Sequence, residues 1–273
     1  MSDIDFERRF GSVKRLYGEA GMTRLEASHV CVIGIGGVGS WVAEALARSA
    51  VGNITLIDLD NIAESNVNRQ IHALEGEFGK AKVTAMAARI RTINPTCRVH
   101  EIEDFVTPEN VGNMLGCGFD IVLDAVDDVK AKVAIATYCR TNKVALITTG
   151  GAGGRLDATK IKAADLSAVQ GDKLLAKVRN LLRRDFNFPK ASNAKKSAKF
   201  GILAIYSDEQ TLKPDVINLK KDAVQANIHA GVGDAQITSI SGLNCAGYGS
   251  SVCVTAPFGF AAAGLAIQHL LSK

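Results

Sequence analysis

Short runs of β-branched and aliphatic residues alternate along this chain with Ala-rich amphipathic stretches. From His29 the sequence HVCVIGIGGVGSWVAEALARSAVGNITLIDLD gives an apolar run, a Gly-rich turn, an amphipathic stretch and a second apolar run that ends in acid. That order reads as strand, loop, helix, strand. A further helix is predicted around Lys80 to Ile93, stopped by Asn94-Pro95, and an extended stretch around Arg98 to Ile102. FDIVLDAVDD (119–128) reads as a buried strand with acids at its carboxyl end, followed by a helix to about Asn142 and by VALITTGGAGG (144–154). Nearly continuous apolar strands between helices predict an α/β fold, a Rossmann-like doubly wound and mainly parallel sheet with helices on both faces.

Beyond Gly154 the pattern weakens. A strand near Lys160 to Ala163, a basic helix over 172–184, a loop-like Ser/Asn/Lys stretch over 190–199 and a strand FGILAIYS (200–207) are expected. Residues 219–250 are polar and Gly-containing. The expected organisation is one domain over 1–273, with an N-terminal helical arm (1–28), a basic, loop-rich insertion (155–250) and a less regular C-terminal extension. The closing segment SVCVTAPFGFAAAGLAIQHLL (251–271) has no charged residue and is long enough for a membrane span. Its alanines, Pro257, Gly259 and Gly264 fit a buried strand, a turn and a closing helix equally well. Ala and Gly contribute little to insertion, so the buried reading is preferred to membrane association.

Composition adds little until it is divided by position. Hydrophobic residues at 47% and charged residues at 22% are ordinary for a folded domain and exclude wholesale disorder, collagen-like and coiled-coil architectures. Between 173 and 200, however, nine Lys or Arg face one acid, Asp185, while the rest of the chain has twenty-three basic against twenty-seven acidic side chains. A concentrated basic segment on a mildly acidic body suits an anionic partner, and it equally describes a solvated helix face and surface loop. The six cysteines contain no C-x-x-C pair, which argues against a zinc ribbon, and Cys31 and Cys139 sit in apolar patterns as small buried hydrophobes. A reducing, cytoplasmic setting is expected, because the N-terminus is charged and has no apolar core of the secretory kind.

Gly34, Gly36, Gly37 and Gly39 form G-x-G-G-x-G directly after a strand and at a helix start, where backbone N–H groups can approach phosphate. Asp58 ends the next strand, where a carboxylate accepts from ribose hydroxyls. No G-x-x-x-x-G-K-[ST] occurs, so a P-loop is excluded. Asp60, Asn66, Arg69, Gln70, Lys80 and Lys82 follow Asp58, bringing cations that a nicotinamide-dinucleotide site has no need of. An Arg and a Lys near the Gly-rich loop suit a triphosphate attacked at its α-phosphorus. Asp127 and Asp128 can supply the hard oxygen that Mg²⁺ takes. Surface solubility explains Lys80 alone, and Asp124 can be a strand-end or capping acid.

Together GIGGVGSW (34–41), LIDLDNIAESNVNRQIH (56–72), GKAK (79–82) and LDAVDD (123–128) resemble the adenylating superfamily of ubiquitin-activating enzymes and the bacterial activators of sulfur carriers. The resemblance implies ATP and Mg²⁺ as ligands, with Gly34, Gly36, Gly37, Gly39, Asp58, Asp60, Asn66, Arg69 and Lys82 around the nucleotide. Arg69, Lys82 and Asp127 become the catalytic residues, and Asp127 the metal ligand. It also implies a homodimer in which an N-terminal Arg, here Arg9, reaches the partner's site. Sulfur-carrier activators typically carry paired C-x-x-C motifs, which are missing here.

RFGSVKRLYGEAG (9–21), NRQIHAL (68–74), INPTCRV (93–99), EDFVTPENV (103–111), TTGGAGG (148–154) and VTAPFGF (254–260) are instead similar to the tRNA threonylcarbamoyladenosine dehydratases. That resemblance implies ATP-dependent cyclisation of threonylcarbamoyladenosine beside a tRNA anticodon through a carboxyl-adenylate. It offers the basic segment a tRNA partner, with Arg183, Arg184, Lys190, Lys195, Lys196 and Lys199 as contacts, and implies a link to a cysteine desulfurase and sulfur-acceptor system. Cys245, in a Gly-rich polar loop, is either a structural thiol or a thioester or sulfur-relay nucleophile. The alternatives are an activator of a ubiquitin-like sulfur carrier, a non-catalytic nucleotide-binding scaffold and, more distantly, a dehydrogenase.

Overall fold

The computed structural model describes residues 5–190, 198–212 and 248–273. The described residues form seven α-helices and seven strands: α1 (Phe6–Ala27), β1 (His29–Ile33), α2 (Gly39–Arg48), β2 (Asn53–Ile57), α3 (Lys82–Ile93), β3 (Arg98–Ile102), α4 (Val111–Leu115), β4 (Ile121–Asp124), α5 (Val129–Thr141), β5 (Ala145–Thr149), β6 (Ile161–Asp165), α6 (Lys173–Asp185), β7 (Leu203–Ser207) and α7 (Val252–Leu271). The strands form one sheet in the order β3-β2-β1-β4-β5-β7-β6. All pairings are parallel except that of β6 with β7. The predicted doubly wound α/β architecture is therefore present, and the chain after Gly154 adds two strands to the same sheet.

Residues alternate between the two faces of each strand, which is why the strands read as continuously apolar. Val30, Val32, Ile54 and Leu56 pack beneath α2, α3 and α7. Cys31, Ile33, Ile57 and Val122 face the layer that includes α4, α5 and α6. Helix starts are set by short acids and hydroxyls: the Asp128 side chain accepts from the Ala131 N–H, Asp172 from Leu175 and Ser251 from Cys253. Within α1 the helix breaks at Gly18, whose φ of 76° is a left-handed conformation that glycine adopts without strain.

The closing segment departs from expectation. Residues 251–271 do not divide into strand, turn and helix; Val252–Leu271 is one continuous helix of 20 residues. Pro257 is its sixth residue, past the first turn, so the helix continues there without the backbone bond that this position would have made to the Cys253 carbonyl. Gly259 marks a close approach: a Cβ there would lie 2.7 Å from the Val38 carbonyl oxygen and 2.8 Å from the Trp41 Cβ. α7 is long and apolar enough to cross a membrane, yet Phe258, Ala262, Ala263, Ala266 and Leu270 are all in the core.

Both edge strands carry charge. Arg98, His100 and Glu101 are exposed on β3, and on β6 Lys162 pairs with Asp208.

Candidate active site

The chain runs from β1 through α2 to β2 on one side, while β4 lies on the other side of β1. This reversal opens a crevice at the carboxyl ends of β1 and β4, where open α/β sheets bind ligands. The parallel register sets Ile33 opposite both Ile57 and Asp124, so Gly34, Asp58 and Ala125 emerge at one level. Gly34 donates its N–H to the Ile57 carbonyl at 2.8 Å, and Ala125 donates to that of Ile33 at 2.8 Å.

Three glycines of the loop are fixed by space. Gly34 has φ 83°, and a Cβ there would lie 3.0 Å from the Ala125–Val126 backbone. At Gly39 a Cβ would fall 1.8 Å from the Gly34 carbonyl oxygen, and at Gly37 3.2 Å from the Arg69 side chain. By contrast a Cβ on Gly36 would meet nothing within 4 Å, so the loop opens at that point. No side chain caps the helix that follows, whose first residue is Gly39. An uncapped helix start beneath a glycine loop is an electrostatic seat for phosphate.

Asp58 is buried and accepts from the N–H groups of Ile35, at 2.5 Å, and Asp60, at 2.9 Å. Burial raises its pKa above the ordinary value, against the opposing Lys82 charge and these two hydrogen bonds. The Lys82 ammonium is buried and pairs with Asp60 at 2.7 Å, while its backbone N–H donates to the Asp60 carbonyl. A triphosphate drawn to Lys82 therefore shares that ammonium with Asp60. Asn66 ends a short 3-10 turn and uses its side-chain oxygen to accept from the Ala63 N–H. Arg69 lies across Gly37, donates to the Ser65 carbonyl and to Asn68, and accepts the Trp41 indole N–H at 2.9 Å through its own carbonyl. Lys80 pairs with Glu77 on the surface, in keeping with a solubility role.

Asp127 is exposed on the loop after β4, three residues past Asp124, and its neighbour Asp128 is committed to capping α5. Among the described residues no three His, Cys, Asp or Glu side chains gather into a metal cage. Mg²⁺ is compatible with a single protein carboxylate, because it keeps waters and takes phosphate oxygens.

Other expected residues lie elsewhere. The Arg9 guanidinium donates to the carbonyls of Thr92, at 3.2 Å, and Ile93, at 2.8 Å, closing the C-terminus of α3. Lys82 begins that 12-residue helix, so Arg9 sits about 18 Å from Lys82 along its axis. The Arg183 guanidinium is engaged by the Pro189 and Ser167 carbonyls and lies over the Phe200 ring. Arg184 is paired with Asp185 through two hydrogen bonds. Lys190 and Lys199 are exposed, whereas Lys195, Lys196 and Cys245 lie outside the described residues. Cys31 and Cys139 are buried as expected, and burial pushes the Cys139 thiol up to about 12.

Two buried ion pairs near the crevice were not apparent from sequence. Lys132, only 1% exposed, donates to Asp124 at 3.0 Å and to the Thr148 hydroxyl at 3.1 Å, and that hydroxyl donates to Asp124 at 2.7 Å. Asp124 also accepts from the Val126 N–H, which anchors the loop carrying Asp127. Arg155 pairs with Asp172 at 3.3 Å, and Asp172 accepts from the Gly151 N–H in the loop after β5. Lysine four positions inside a helix is the one sequence sign of the first pair, and it shows nothing of burial.

The model of the ThiF family matches residues 10–271. The tRNA threonylcarbamoyladenosine dehydratase of Haemophilus influenzae is 46% identical over 275 residues, covering 100% of this chain and 97% of that protein. The Escherichia coli enzyme of the same name is 44% identical over 98% of this chain and 95% of its own. A crystal structure of the E. coli dehydratase in complex with ATP superposes with a TM-score of 0.83 at 42% identity, covering 98% of this chain and 96% of that one.

Proposed function

The chain belongs to the ThiF family, and from that membership we propose that it is an ATP-dependent tRNA threonylcarbamoyladenosine dehydratase. The observation that carries this reading is the end-to-end likeness to dehydratases, joined to the crevice in which the glycine loop, Asp58, Lys82 and the Asp127 loop meet. A likeness confined to the nucleotide half would leave the substrate open; this one extends through the closing helix.

In the proposed reaction the threonyl carboxylate of the modified base attacks the α-phosphorus of ATP and pyrophosphate leaves. A nucleophile within the same base then attacks the acyl carbon, and AMP departs with the former carboxylate oxygen. Water is formally removed from the base, and the second nucleophile is already held in place, so no enzyme thiol is required. The glycine loop and the start of α2 receive phosphate, Asp58 the ribose hydroxyls, and Asn66 and Arg69 the triphosphate. Lys82 exchanges part of its contact with Asp60 for the charge that builds up at phosphorus. Asp127 would hold Mg²⁺, which neutralises the triphosphate. In the proposed homodimer Arg9 serves the partner's site.

The test is mass spectrometry of tRNA nucleosides after incubation with protein and ATP, looking for loss of one water from threonylcarbamoyladenosine. Wild type should show the loss and Asp127→Ala should not, while both unfold alike. Normal turnover by the variant would remove the role assigned to Asp127.

A further inference from the structure

We propose that a basic crevice at the amino edge of the sheet, on the opposite side from the nucleotide loop, seats backbone phosphates of the RNA substrate. The proposal rests on the dehydratase reading above. A cavity of about 330 Å³ opens there between the starts of β5 and β7, lined by Arg140 in the last turn of α5 and Lys143 just after it, Phe200 and Gly201 before β7, and His269 and Lys273 at the end of α7. Two helices from opposite faces of the sheet end at this spot, each bringing cations.

Arg140 and Lys143 are displayed rather than consumed, while Lys273 also reaches Asp120. The Arg140 guanidinium lies over the Phe188 ring, 4.1 Å from its centre, and the Phe188 and Phe200 rings meet edge to face at 4.9 Å. Among the described residues neither Arg140 nor Lys143 has a carboxylate within 4 Å. The acids nearby are already engaged: Asp120 with Arg24 and Lys273, and Asp165 with the N–H groups of Ser167, Phe200 and Gly201. The His269 Nε2 is shielded from solvent with no hydrogen-bond partner among the described residues, and burial, followed by the Lys273 charge, lowers its pKa.

Helix ends attract basic residues for their own sake, since cations offset the carbonyl dipoles. That accounts for one cation at each end; it does not account for Lys143, nor for an arginine held over an aromatic ring. Lys190 follows Pro189, whose carbonyl holds Arg183, and Lys199 precedes Phe200. The C-terminal described end of the basic segment, at Lys199, thus runs directly into the crevice wall at Phe200. Arg140, Lys143 and Lys273, with Lys199 next to Phe200, around an edge-to-face aromatic pair suit a phosphodiester chain, which is read by distributed charge and planar groups. β5 has five residues, so the crevice stands about 17 Å from the carboxyl edge, a span that an RNA stem bridges and a free nucleotide does not.

Fluorescence anisotropy with tRNA carrying threonylcarbamoyladenosine, between 50 and 200 mM salt, tests this. The Arg140→Glu/Lys143→Glu variant should bind at least about tenfold more weakly, with the slope of log K against log salt reduced by about two. Its KM for tRNA should rise, while kcat at saturating tRNA and the affinity for ATP stay unchanged. Lys143→Glu/Lys273→Glu, which leaves the Phe188 stack intact, should reproduce the loss. tRNA affinity within twofold of wild type with an unaltered slope would overturn the proposal. So would saturable binding of inorganic phosphate at the crevice with tRNA binding untouched. Failure of wild type itself to bind or dehydrate tRNA would refute the dehydratase reading instead.

Discussion

His72 is 98% buried by surface area and neither ring nitrogen meets a partner among the described residues. Burial, followed by the charges of Lys82 and Arg89, lowers its pKa to about 4. The ring is thus neutral in the folded protein at any pH where the enzyme would work, while the unfolded chain titrates near 6.5. A base whose folded pKa is depressed gives stability that is full above the unfolded value and is lost as pH falls through the window down to the folded one. At about 1.4 kcal/mol per unit, the loss between pH 7.5 and 4.5 is about 2 to 3 kcal/mol. Urea unfolding of wild type and His72→Gln at the two pH values should reveal that difference; parallel losses would mean that His72 is not the source. The same residues show where sequence reading stops. The glycines, Asp58 and Lys82 were legible because loop and strand ends place them locally. Lys132, Arg155 and His72 gain their character from burial and from partners far along the chain, and residue type discloses neither.

Among the elements, β1 to β5 were legible because parallel strands buried on both faces are runs of Val, Ile and Leu bounded by glycine and acid. α7 was misread because Pro257 and Gly259 look like punctuation, whereas Gly259 is a contact surface for the start of α2. The two glycines of α7 should therefore respond in opposite directions. Gly259→Ala places a methyl against Val38 and Trp41 and should cost about 1 to 3 kcal/mol. At Gly264 a Cβ meets nothing within 4 Å, and Gly264→Ala should be neutral or stabilise by up to about 1 kcal/mol through helix propensity. Thermal melts of the two variants check this, and equal effects would mean that α7 does not rest on α2 as described. The antiparallel direction of β6 was not legible, because direction depends on a long connection rather than on any residue in the strand.

At the scale of the whole molecule, Arg9 closes the far end of α3 and is separated from its own chain's Lys82 by the length of that helix. Service in the proposed homodimer then has to cross between subunits. Arg9→Ala and Asp127→Ala should each be inactive alone, yet co-expressed they should recover about a quarter of wild-type turnover, since half of random dimers are mixed and one of their two sites is intact. A mixture as dead as its parents, or an active Arg9→Ala, would remove the crossing. How two such subunits would meet is constrained by the charged strands at either margin of the sheet. An open sheet invites further strands to add to its unpaired backbone, and charges there make continued pairing costly. β3, with Arg98 and Glu101, and β6, with Lys162 and Asp208 beside it, both carry that protection. Assembly is thereby steered away from sheet extension and toward helical surfaces, and a newly made chain is guarded at its margins against fibrous growth.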